Sequence, residues 1–122
     1  MSRDWQEQLV TIRNEQDKQA VAQQVRFQIL TLAQNAGAIT SHHSRPKGTE
    51  NFAGIEHTLE LEFHGSEACS IGEGLIETLP VHEFSVSGGF IAHAGVVEQK
   101  HTFNGASQRL ELIIKLWFVK ED

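Results

Sequence analysis

Polar and apolar positions change period along this chain, and the changes divide it into elements. From Lys18 to Gln34 the apolar residues Val21, Val25, Ile29, Leu32 and Ala33 recur at helical spacing, and Ala36 continues the stripe. Trp5, Leu9 and Ile12 form an earlier stripe, so the spacing predicts helix over residues 2 to 36. Asn14 to Asp17 divides that helix, with Asn14 as the cap of its second part, and Gly37 is the expected stop. A short strand is predicted over Ala38–His43. An exposed loop follows over residues 44 to 54, where Pro46, Gly48 and Gly54 gather.

GIEHTLELEFHG, residues 54 to 65, then runs with a period of two: Ile55, Leu59, Leu61 and Phe63 on one side, Glu56, Thr58, Glu60 and Glu62 on the other. His57 stands in the apolar row. Ala68, Ile71, Leu75, Ile76 and Leu79 return to helical spacing, weakened by Gly72 and Gly74, and predict a short helix that ends before Pro80. HEFSV (82 to 86) alternates again and predicts a strand, with a bulge or bend at Gly88-Gly89. Residues 90 to 103 are strand-like, Asn104-Gly105 is a hairpin turn signal, and residues 109 to 119 form the most β-rich segment. In that last strand Leu110, Leu112, Ile114, Leu116 and Phe118 make a continuous apolar face. The other face carries Glu111, Ile113, Lys115, Trp117 and Val119 and turns apolar towards the C-terminus, so something must cover it.

The resulting order is α-β-β-α-β-β. It predicts one α+β domain over residues 1 to 122: a long N-terminal helix packed on a mainly antiparallel sheet, closing on a C-terminal β-hairpin. A chain of 122 residues is long enough to bury its own core. Its single cysteine excludes an internal disulfide and suits a reducing compartment. A net charge of −6 makes nucleic acid an unfavourable partner, and Arg45-Pro46-Lys47 beside His42 and His43 is too small a basic footprint to change that. No apolar run is long enough to span a bilayer and no secretory pattern opens the chain, so the expected address is the cytoplasm of a bacterium or an infected host cell, or a virion.

Seven histidines are the main compositional oddity. None has the close spacing at which two ligands converge on a metal within one element, so a metal or catalytic site has to be assembled across strands, from His57 with His93 or His82. His57 is expected to be a hydrogen-bonded residue at the rim of the core. Cys69, with His64 five residues upstream, is the available thiol nucleophile, set against a plain buried residue. Ile71-Gly72-Glu73-Gly74 lacks the lysine of a phosphate loop and reads as flexibility or close packing. Glu56, Glu60 and Glu62 read as a solvated acidic row, and no cofactor signature is present. The expected interface is Trp5, Leu9, Ile113, Trp117 and Val119: either the helix covers the apolar end of the last strand, or that end meets a partner.

The element order, with its leading helix and closing strand, resembles that of the small ring-forming tail-terminator and head–tail connector proteins of bacteriophages. The likeness lies in element order and carries no site residue with it. It implies a non-catalytic assembly subunit whose partner is protein, another copy of the chain included. An acidic immunity or inhibitor protein is the first alternative. A metal-binding protein or small hydrolase using His57, His93 or Cys69 is the second.

Overall fold

The computed structural model describes residues 19–105 and 107–121. Trp5, Leu9 and the expected Asn14 cap lie outside that range. The described chain begins in a helix, α1 (residues 19–32), whose stripe Val21, Val25 and Ile29 is buried, as is Ala33 just past its end. Then come β1 (Gly37–Pro46), β2 (Gly54–His64), α2 (Ser66–Thr78), a single 3-10 turn at Leu79–Val81, β3 (Gly89–Asn104) and β4 (Ser107–Lys120). The α-β-β-α-β-β order is as the periodicities predict. All pairings are antiparallel and the sheet runs β1-β2-β4-β3, so the closing hairpin inserts its second strand beside β2 and leaves β1 and β3 at the edges.

One face of the sheet carries the core. Leu59, Leu61 and Phe63 of β2 and Leu110, Leu112, Ile114 and Leu116 of β4 pack in one cluster with the α1 stripe and with Cys69 and Leu75 of α2. Gly72 lets α2 sit close: a Cβ there would fall 2.8 Å from the Leu110 side chain and 2.9 Å from the Phe63 ring. Gly74, two residues on, meets nothing. Of the two glycines that weaken the helical pattern, one is there for close packing and the other is not.

Several expectations are corrected. Gly37 does not end α1. The left-handed residues are Gln34 (φ 53°) and Asn35 (φ 55°), closed by Asn35 N–H donating to Leu30 O. Gly37 already belongs to β1, where its missing side chain leaves room for the Phe63 ring, 2.6 Å from an ideal Cβ. β1 does not stop at His43 but pairs on through Arg45↔Glu56 and Pro46↔Ile55, so the loop shrinks to residues 47–53. At the hairpin tip Gly105 takes the left-handed conformation (φ 62°) that the turn needs.

HEFSV is not a strand of the sheet. Residues 82–86 are extended, and the alternation is real, with His82, Phe84 and Val86 turned inward and Glu83, Ser85 and Ser87 outward. Their partner is α1. The Gln28 side-chain amide donates to Ser85 O (2.6 Å) and accepts from Ser85 N–H (3.0 Å), while Gln24 accepts from Ser87 N–H (2.8 Å) and donates to Ser87 Oγ (2.8 Å). Two glutamines one helical turn apart thus replace a neighbouring strand and strap the segment to the helix. Gln28→Ala removes both bonds to Ser85. Because water reaches that amide, the expected cost is only about 1 kcal/mol. Amide hydrogen exchange at Ser85 should accelerate while the α1 core amides keep their protection.

Candidate functional site

Strand register fixes what shares the face of the sheet away from the helices. Side chains directly opposite in an antiparallel pair lie on one face. Reading across β1, β2, β4 and β3, one row is Arg45–Glu56–Trp117–His93 and the next His43–Thr58–Lys115–Gly95. Beyond them come Ser41–Glu60–Ile113–Glu98 and Ala38–Glu62–Glu111–Lys100, with Arg109 and Thr102 further along.

Glu56 is 6% exposed although it stands on this outer face. Cations enclose it: Arg45 donates through Nε (2.9 Å) and a terminal nitrogen (2.8 Å) to Oε1, Lys47 Nζ lies 3.0 Å from Oε2, and Lys115 Nζ is 3.8 Å from Oε1. The Lys47 hydrogen bond first, then Arg45, hold this carboxyl below the ordinary carboxylate range against the opposing effect of burial. The solvated acidic row is therefore interrupted, because Glu56 is the anion of a basic cluster. Glu62 is different in kind: a half-buried carboxylate held low by Arg109 and then His64.

The expected interface residues separate. Val119 is buried. Trp117 is half-buried, with its indole N–H donating to Lys47 O (2.8 Å) and the Lys47 ammonium 6.0 Å from the ring centre. The loop after β1 thus reaches the apolar end of β4, and Lys120 N–H donates to Ala53 O in the same loop. Ile113 stays half-exposed between Glu60 and Glu98. Trp5 and Leu9 lie outside the described residues.

The histidines do not gather. His57 lies opposite Leu116, on the core face, whereas His93 lies opposite Trp117, on the outer face. The sheet itself stands between them. His82 Nε2 faces Gln28 Oε1 at 3.3 Å in the strap. No group of three potential metal ligands occurs among the described residues. The Cys69 thiol is buried and donates to Phe63 O (3.5 Å), while His64 turns to solvent beside Glu62 (3.4 Å), so thiol and base are not brought together.

What the sequence did not foresee is the partner of His57. His42 Nε2 is 2.9 Å from His57 Nδ1, their rings 5.1 Å apart, with His57 2% exposed. His57 Nε2 is the buried side-chain polar atom left without a partner among the described residues. We assign the shared proton to His57 Nδ1, since the other tautomer strands an N–H donor in apolar surroundings, which costs more than a bare lone pair. Burial lowers both pKa values. His42 falls to about 4, through desolvation first and then the positive fields of His57, Arg26 and His43. The adjacent His42-His43 pair held the clue, because on a strand one of the two has to face inward.

At the end of the sheet where β4 finishes, Val21, Phe52, Ile55, Phe90 and Phe118 line an open cleft of about 850 Å³, together with the polar Asn51, Ser87, Lys120 and Glu121. No described helix is long and apolar enough to cross a membrane.

No family model matches the sequence, and no curated protein matches it. Among solved structures, the type 4 fimbrial biogenesis protein PilO from Pseudomonas aeruginosa aligns over 91% of this chain and 77% of its own at 13% identity, with a TM-score of 0.43, too low to carry an argument. A chain of the virion of a native gene transfer agent particle aligns over 85% of this chain and 94% of its own. Its identity is 14% and its TM-score 0.56, which makes the two proteins similar in fold.

Proposed function

We propose that this chain is a non-catalytic assembly subunit that works by contact with protein, as a component of a virion-like particle. The observation that carries the reading is the near end-to-end likeness of fold to a chain of a gene transfer agent virion, 85% of one chain against 94% of the other. The separation of His57 from His93, and of Cys69 from His64, supports it by leaving the enzymatic alternative without its expected constellation. The net charge of −6 supports protein over nucleic acid as partner.

Light scattering on the purified chain across the micromolar range tests this reading. A defined closed oligomer, a dimer or larger, is the expected result. The mass of a single chain at every concentration would sink the self-assembling form of the proposal.

A further inference from the structure

The outer sheet face is divided by charge in a way no single strand displays. At one end Arg45, Lys47 and Lys115 stand against Glu56 alone, an excess of two positive charges. At the other, Glu60, Glu62, Glu98 and Glu111 stand against Lys100 and Arg109, an excess of two negative charges. The boundary falls between the Lys115 row and the Ile113 row. Around it the surface is small or apolar: Thr58, Gly95 and Ile113. Glu60 and Glu98, which flank Ile113, are exposed. A face of this kind complements itself when one copy is reversed along the strands.

We infer that this face docks against the same face of a second copy, the basic end of each lying over the acidic end of the other. The two-fold axis runs across the strands between Lys115 and Ile113. It lays each Lys115 over the Glu60–Ile113–Glu98 row of the other copy and repeats the contact by symmetry. Reversal about an axis along the strands would instead set like charges together, so charge selects the orientation. Strand spacings put the face at roughly 35 by 19 Å, about 650 Å² per copy, somewhat below the ~800 Å² typical of a stable interface. The dimer is accordingly expected to form with micromolar affinity and to weaken with salt. The inference deepens the assembly reading and rests on it for the choice of a second copy as occupant.

Charge reversal with mixing tests it. Lys115→Glu makes the basic end acidic at the boundary; Glu60→Lys/Glu98→Lys does the reverse at the other end. Each variant alone is expected to raise the dimer dissociation constant by about tenfold or more, read by sedimentation velocity. An equimolar mixture is expected to recover the wild-type value within about threefold, because both contacts of the mixed dimer are again of opposite sign. Raising ionic strength from about 0.05 to about 0.5 M is expected to dissociate the wild-type dimer. Circular dichroism establishes that each variant is folded; should Lys115→Glu not fold, the other variant and the salt series decide. A wild-type chain monomeric at high concentration overturns the inference and gives the face to a different partner. Reversals that leave association unchanged also overturn it. A closed ring that survives both reversals overturns this contact while leaving the assembly reading intact.

Discussion

Gly89→Ala is expected to be the most damaging single-methyl change in the described chain. An ideal Cβ at Gly89 would lie 2.1 Å from the Val119 carbonyl oxygen and 2.8 Å from the Phe118 ring. The ring could turn aside. The carbonyl cannot, because β4 is pinned there from both sides: Gly89 is in register with Lys120, Lys120 N–H donates to Ala53 O, and Glu121 N–H donates to Gly88 O. Relief requires the first residues of β3 to leave the sheet, at a cost of about 3 kcal/mol. For a domain of this size that corresponds to a melting temperature lower by roughly 10 °C. Gly74→Ala is the control. Its Cβ meets nothing and its backbone is helical, so it should raise stability by about 0.5–1 kcal/mol. Thermal melts of the two variants should shift in opposite directions. A Gly89→Ala chain that melts with the wild type would mean the approach of β3 to Val119 is looser than described.

The glycines also show where the sequence stops speaking. Periodicity placed α2, β2 and β4 because their buried faces repeat at 3.6 or 2 residues, and that repeat is written in the residue types themselves. It could mark Gly72, Gly74 and Gly89 as unusual. It could not say that Gly72 admits Phe63 and Leu110, that Gly89 admits a carbonyl, or that Gly74 admits nothing, since each answer lies on another element. Gly37 follows the same logic: Asn35 can hold a left-handed backbone, which leaves the glycine free for β1.

The strap is a subtler case. The alternation in HEFSV correctly reported an extended chain with one side inward. What it could not report was the hydrogen-bonding partner, because a pair of helical glutamines satisfies an extended backbone much as a strand does. The site is harder still to read. His57 was legible as an anomaly in an apolar row, yet His42 reaches it only because β1 pairs with β2 in one particular register. The charge division of the outer face needs the register of four strands at once. Glu56, Glu60 and Glu62 look alike along β2, and it takes β1, its following loop and β4 to single out Glu56 by surrounding it with cations.

That histidine pair leads to the second large effect, an early loss of stability in acid. In the unfolded chain both imidazoles titrate near 6.5; in the folded chain both are lowered, His42 to about 4. Between those values the unfolded state binds more protons than the folded state, so stability falls as pH falls. Below about 4 the His42 contribution is spent. Positive fields add to burial in opposing protonation of His42: His57 first, then Arg26 from α1 and the neighbouring His43 from across the sheet; for His57 the cause is burial. Because His42 is only partly buried, solvent screening reduces the effect, and about 2 kcal/mol is expected to be lost between pH 6.5 and pH 4. Glu56 and Glu62 act elsewhere. Their folded pKa values lie below 4.5, so their stabilisation persists above that pH and is lost only as pH falls further. Chemical denaturation at closely spaced pH values should therefore show two stages. A His42→Val/His57→Val double variant should abolish the upper stage and keep the lower one. Each imidazole leaves together with its partner, so no buried polar group is stranded, and the variant is expected to fold. If its stability fell between pH 6.5 and pH 4.5 as steeply as that of the wild type, the acid response would have to originate in another of the chain's histidines.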